Sequence, residues 1–262
     1  QERQLHFIKI LNKQITNELF GVTQRIDCYI IENKQIFTST KIIDENSKSH
    51  NINLKNLHFL PNYKYKEIQK ILTEKENGID IIFDTFYQAS KYLKENKNHE
   101  FKFPVVHTIT QKGLGIRFSK FKKGHFKIPK VLLNFNEIQY PYNDYEGKYG
   151  MSQITFGIPI SSKKEGDLFV KAINTPEFKE IIKATKWGAF QTDYRMFKYF
   201  KKDFWKEFVD EKDKSNKSYK FSIKKRCPKG EHSPDKKSKK CRKGYTINKP
   251  IDKDSKECCR KV

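Results

Sequence analysis

Three features of the patterning predict a mixed fold, α+β or mixed α/β. Strand-like segments concentrate between residues 100 and 160, capped helical patterns follow after 160, and a Gln111-Lys112-Gly113 turn joins two alternating segments into a hairpin. A change of composition near Asp210 ends the body that carries these elements.

Taken in order, "LHFIKIL" is a short apolar strand. "RIDCYIIEN" alternates Ile26, Cys28 and Ile30 against Asp27, Tyr29 and Ile31, as a strand does. Glu32-Asn33-Lys34 is a tight-turn candidate, with "QIFTSTKII" running back as the partner strand. "YKEIQKILTEKENG" places Ile68, Ile71 and Leu72 on one helical face and Gly78 at the stop. "IDIIF" reads as a short buried strand, and "DTFYQASKYLKEN" as a helix capped by Asp84 or Thr85. "PVVHTIT" and "LGIRFSK" are the hairpin arms. "KVLLNF" and "SQITFGIPI" are further strands on either side of a Tyr-, Pro- and Gly-rich loop from Tyr140 to Gly150. Three helices are expected to close the body. The first follows Ser161-Ser162 with Leu168, Phe169, Ala172 and Ile173 inward. The second has Thr175 as cap, Pro176 at its first position, Phe178, Ile181 and Ile182 inward, and Gly188 as stop. The third carries Phe197, Phe200, Phe204 and Phe208, an aromatic stripe of the kind that fills a core.

The charge balance narrows the function. Lys and Arg number 54 against 31 Asp and Glu, a formal net charge of +23 that points to a polyanionic partner. Residues 211–262 alone hold 19 Lys and Arg against 7 Asp and Glu and few large apolar residues, so this basic tail is expected to remain flexible. No apolar run approaches the ~18 residues that span a bilayer, so no membrane partner is expected. Four of the five cysteines follow residue 226, which is no disulfide framework for the body and suggests a reducing, intracellular setting. The chain begins at Gln1 without a signal-peptide pattern and is expected to be a piece of a longer polypeptide or a processed product.

One strip concentrates the charge. "IRFSKFKKGHFKIPK", residues 116–130, sets one arginine, five lysines and a histidine among three phenylalanines. Such a strip suits a nucleic-acid track, a lipid-binding face or a solvated lysine surface, and the net charge of the chain favours the first. Lys120, Lys122 and Lys123, with Lys127 and Lys130, are the candidate phosphate contacts; Arg117 and His125 could reach base edges. Phe118, Phe121 and Phe126 are expected to be buried supports.

Other chemistries have less to stand on. No Gly-rich turn opens a helix: Gly113-Leu114-Gly115 sits in the hairpin. Cys227, His232, Cys241 and Cys258 or Cys259 could supply soft ligands to zinc, but the tail has no Cys-x-x-Cys clip, and reduced thiols are the expectation. Glu-x-Lys triplets, usable by a metal-dependent nuclease, begin at Glu32, Glu95, Glu100, Glu146 and Glu177, as chance predicts in a chain this rich in both residues.

Several blocks in order, "LFGVTQRIDCYIIEN", "STKIIDEN", "FPVVHTITQKGLGIRFS", "GHFKIPKVLL", "YEGKYGMSQITFGIPI" and "FKEIIKATKW…TDYRMFKYFKKDFW", span roughly residues 5–210. They resemble the C-terminal half of adenine-specific DNA methyltransferases of type II restriction-modification systems, especially those of large DNA viruses. The tail's Cys-Pro-x-Gly block is similar to short basic motifs in proteins of those viruses. The resemblance implies edge strands of a methyltransferase-like sheet (1–60), an α+β target-recognition domain (61–210) and the basic tail (211–262). It implies double-stranded DNA as partner, and S-adenosylmethionine as cofactor of the full-length enzyme. The family's cofactor loop and Asn-Pro-Pro-aromatic motif are missing here, so this fragment is expected to bind no cofactor and to work with a catalytic region in cis or in trans. Phe20 stands where the family stacks the flipped adenine. The setting implied is intracellular, in a virus-infected host cell or a virion. The rival expectations are a viral DNA-binding protein without enzymatic activity and a nuclease built on a Glu-x-Lys site.

Overall fold

A computed structural model describes residues 4–33, 39–73, 78–88, 90–135, 138–187, 193–209, 245–248 and 258–261. The fold is mixed α/β, with several small sheets and few helices. In the first sheet, β1 (Gln4–Leu11) lies centrally, antiparallel to β2 (Ile26–Glu32) and parallel to β3 (Thr40–Ile43), and β3 pairs with β4 (Ser49–Ile52). The expected β2–β3 hairpin does not form. β1 contributes Ile8 and Ile10 to a buried cluster with Ile42, Ile52 and Tyr65, and it takes the central place between the two other strands. The turn residues Lys34 to Thr38 lie outside the described residues.

Two elements of this sheet have local signals that hydrophobic periodicity does not carry. α1 (Lys13–Phe20) is capped by Asn12, whose side chain accepts from the Ile15 N–H, and stops at Gly21 in the left-handed conformation. β4 follows a turn in which the Asp44 carboxylate accepts from the Asn46 and Lys48 N–H groups.

α2 (Tyr65–Ile71) points Tyr65 toward the first sheet and Ile68 and Ile71 into the main core. It ends seven residues before Gly78 because Leu72 pairs in a bridge with Phe200. Gly78 is no helix stop but a point of close approach, where a Cβ would overlap the Lys198 carbonyl. The "IDIIF" strand reduces to a single bridge between Ile82 and Gly157. The predicted helix after Asp84 becomes two 3-10 turns, Phe86–Gln88 and Ser90–Tyr92, because Lys94 must leave helical geometry to bridge Phe118.

The hairpin forms as expected from β5 (Phe103–Thr110) and β6 (Gly113–Ser119), with Gly113 at positive φ. β7 (Lys130–Asn134) is the centre of a third sheet. There it pairs antiparallel with β8 (Tyr142–Asp144) and with β10 (Thr155–Pro159); β9 (Gly150–Met151) adds in parallel to β5 in the hairpin's sheet. The "SQITFGIPI" segment begins its strand only at Thr155, since the Thr155 N–H donates to the Ser152 carbonyl and turns the chain first.

α3 (Lys163–Ile173) and α4 (Pro176–Ala184) use the expected Ser162 and Thr175 caps. The third helix is absent. Phe197, Phe200, Phe204 and Phe208 lie on or beside two 3-10 turns, Tyr194–Tyr199 and Phe204–Glu207, with Phe200 extended between them. Spacings of three and four residues suit an α-helix or successive 3-10 turns of about three residues each. The backbone bonds from Ile79 to the Phe200 carbonyl and from Thr73 to the Tyr199 carbonyl select the turns.

In the tail, β11 (Tyr245–Asn248) and β12 (Cys258–Lys261) pair antiparallel.

Candidate nucleic-acid interface

The basic strip leaves β6 at Ser119 and re-enters the fold at β7, and the loop between them is fixed by buried polar groups together with the packing of Phe126 on Tyr87, Leu93 and Val105. Gly124, His125 and Lys127 all have positive φ, a costly run for two residues that carry a Cβ. Neighbouring groups offset that cost. The Gly124 N–H donates to Asp84, the Met151 N–H to the Gly124 carbonyl, and the Lys127 N–H to the Gly147 carbonyl. The Tyr87 hydroxyl donates to the Phe121 carbonyl at 2.7 Å and accepts from the Lys123 N–H at 3.1 Å.

Lys130 is the deepest of these anchors. It is fully buried; its Nζ donates to Asp144 Oδ2 at 2.9 Å and to the His125 and Ile128 carbonyls at 3.1 Å each. Asp144 accepts in addition from the N–H groups of Lys148 and Tyr149. Burial pulls the ammonium of Lys130 down and pushes the Asp144 carboxyl up, and the mutual charge and these hydrogen bonds oppose both shifts. The expectation that Lys130 contacts phosphate is therefore corrected: with no exposed surface, it holds the loop from inside.

The remaining candidates divide by exposure. Lys120, Lys122, Lys123 and Lys127 are exposed. Lys120 lies 3.2 Å from Glu100 in a solvent-screened pair of small net value. Among the described residues, no carboxylate pairs with Lys122, Lys123 or Lys127. His125 is half-buried, its Nε2 3.3 Å from the Phe83 carbonyl. Arg117 is half-buried on β6 opposite Val105. Burial, with the Arg117 charge adding to it, holds the His107 imidazole below its ordinary 6.5. A lowered histidine binds its proton more weakly in the folded state. The stability it supports is complete above about pH 6.5 and falls as pH drops from there toward the folded-state value. His107→Gln is expected to flatten the dependence of the melting temperature on pH from about 7 down to about 5, read by thermal denaturation in matched buffers.

Phe118 and Phe126 are half-buried, but Phe121 is 37% exposed, which corrects its expected role as a buried support. Its ring stands nearly perpendicular to those of Phe86 and Tyr92, which stack on each other at 5.0 Å. Residues 91–102 lie beside the strip, held by the Lys94–Phe118 bridge at one end and by the Phe103–Ser119 pairing at the other, and add lysines that the linear strip does not contain. Lys91 lies over Tyr92, Lys94 over Phe101, Lys102 and Lys122 over Phe103, and Lys120 over Phe121, each 4.5–5.9 Å from the ring centroid. The signal for this second segment is its own alternation of lysine with aromatic residues, at Lys91-Tyr92 and Phe101-Lys102-Phe103.

Phe20 ends α1 with 56% of its surface exposed and, among the described residues, no ring or cation contact. Leu19, Tyr29, Ile30 and Ile31 are exposed near it in sequence, on α1 and on the edge strand β2. Cys227, His232 and Cys241 lie outside the described residues, and Cys258 is placed only by its backbone, opposite Asn248. Among the described residues no group of three or more His, Cys, Asp or Glu side chains is arranged to hold a metal, and no helix is long and apolar enough to cross a membrane.

No family model matches this chain, and no curated protein matches it.

Proposed function

We propose that the chain is the target-recognition half of an adenine-specific DNA methyltransferase, or of a fused restriction-modification enzyme, and that it grips double-stranded DNA through the 120–127 loop. The observation that carries the reading is a loop held by internal hydrogen bonds that presents Lys122, Lys123 and Lys127 to solvent without carboxylate partners among the described residues. Phosphates are the ligands that such preorganised cations fit, and counterion release makes the binding salt-dependent. The block-by-block resemblance supplies the methyltransferase assignment.

The hairpin glycines do not form a loop that fits S-adenosylmethionine. Gly113 and Gly115 lie on β6, which runs into the basic loop and then β7, so no helix N-terminus follows them to receive a cofactor. Cofactor binding and methyl transfer would belong to the catalytic region, in cis or in trans. The exposed apolar side chains of β2 favour this reading over a self-sufficient viral DNA-binding protein. An edge strand showing Tyr29, Ile30 and Ile31 to water is one that soluble proteins normally cover or charge. In the full-length enzyme Phe20, on the same part of the chain, would face the flipped adenine.

The test is a titration of duplex DNA by the chain at several salt concentrations. The triple change Lys122→Ala, Lys123→Ala, Lys127→Ala is expected to weaken binding to every duplex sequence alike and to lower the log–log salt slope by about 2.7, roughly 0.9 per phosphate contact. Binding and slope equal to the unsubstituted chain would reduce the loop to a solvated face.

A further inference from the structure

Phe121 is more exposed than its packing alone calls for. An exposed phenylalanine in a loop rich in lysine adds little to the core, yet its backbone is held on both sides. The Tyr87 hydroxyl holds its carbonyl at 2.7 Å, and its N–H donates to the Ser119 hydroxyl at 2.9 Å. The side chain is equally constrained. Contact with the stacked Phe86–Tyr92 pair, at centroid distances of 5.6 and 5.8 Å, leaves 37% of the residue open to solvent. Exposed Lys120, Lys122 and Lys123 flank it in sequence, and Lys91 lies over the neighbouring Tyr92 ring.

We infer that Phe121, backed by Phe86 and Tyr92, is a stacking platform for an unpaired nucleobase. This inference rests on the reading of the loop as a DNA interface and adds a subsite to it, distinct from Phe20. The chemistry needs two things together: a π-face held rigid in water, and cations within a few ångströms to take the flanking phosphates. A paired base in an intact duplex has both faces covered by its neighbours and offers nothing to such a ring. A bulged, extruded or single-stranded base has an open face, and stacking it removes both that face and the exposed ring from water. Lys120 over Phe121 at 5.5 Å is a weak, solvent-exposed contact that an incoming base and its phosphate can replace. The loop lysines alone would treat all nucleic acid as a line of phosphates; the ring makes the site sensitive to whether a base is free.

The experiment compares three probes of equal length with the full chain: a perfect DNA duplex, the same duplex with two unpaired thymines at its centre, and the single strand. The unsubstituted chain is expected to bind the bulged duplex about tenfold more tightly than the perfect one, the value of roughly one base–aromatic stack. Phe121→Leu keeps an apolar filler against Phe86 but has no π-face. It is expected to abolish that preference while leaving perfect-duplex affinity within error, with only a small fall in melting temperature from the two lost edge-to-face contacts. Phe121→Trp is expected to retain or enlarge the preference. Equal affinity of the unsubstituted chain for bulged and perfect duplexes, or an unchanged preference in Phe121→Leu, overturns the stacking site while the duplex reading stands. Absence of binding to all three probes overturns both.

Discussion

Lys130→Ala is expected to destabilise the folded chain by about 3–5 kcal/mol, more than any other lysine of the strip. The size follows from what is left behind. Asp144 stays buried with its charge uncompensated, and the carbonyls of His125 and Ile128 lose their donor in the part of the loop with positive φ. Replacing both partners with apolar residues, Lys130→Met with Asp144→Leu, is not expected to restore stability here, although such swaps often do. Asp144 also accepts from the Lys148 and Tyr149 N–H groups, which the double change would orphan. Chemical denaturation of the single and double variants measures both effects. High salt supplies the control: a fully buried pair is little screened, so the loss should persist there, whereas the effect of the exposed lysines on DNA binding should fade. A Lys130 variant as stable as the unsubstituted chain would mean that the loop is not held from within.

This reversal of role for Lys130 shows where the amino-acid pattern stops being informative. Composition marks the strip as basic, but nothing in "HFKIPK" says that one lysine begins a strand paired with Asp144 and points inward. That depends on the β7–β8 pairing, which joins residues fourteen apart. Features with local causes were legible. Gly113 with its turn fixes the β5–β6 hairpin, and the Ser162 and Thr175 caps with Pro176 fix the starts of α3 and α4. Features settled by distant partners were not. β1 lies between β2 and a parallel β3, a pairing that no local turn encodes. Helical periodicity at Phe197–Phe208 and at Phe86–Lys94 gave way to 3-10 turns because Phe200 and Lys94 each pair with a strand-like segment elsewhere. The same Lys94 bridge brings Lys91 and Lys94 beside the strip, and the pairing of Phe103 with Ser119 brings Lys102, so the basic face extends beyond the linear strip.

Phe178→Ala is expected to cost about 3–5 kcal/mol as well, by a different route. Phe178 is fully buried near the start of α4, with the rings of Phe204 and Phe208 at 5.3 Å and those of Phe197 and Phe200 at 6.3 Å. Its ring meets all four members of the aromatic stripe, and each edge-to-face or tilted pair adds to the area it buries. Truncation removes the transfer energy of the ring and leaves a cavity whose walls belong to α4 and to two 3-10 turns. The bonds of Tyr199, Phe200 and Lys201 to residues 71–79 pin the end of the first turn and the segment that leads to the second, which limits how far the walls can close inward to fill it. The helix start itself is spared, since the bond from the Phe178 N–H to Thr175 Oγ1 involves only the backbone of residue 178. Chemical denaturation should therefore show a lower midpoint with the far-ultraviolet signal of the native state unchanged, and Phe178→Leu should recover part of the loss. Its DNA salt slope, measured below the transition, should equal that of the unsubstituted chain because no exposed lysine has moved. A reduced slope in Phe178→Ala would tie the aromatic core to the basic loop and would require the two to fold as one coupled unit.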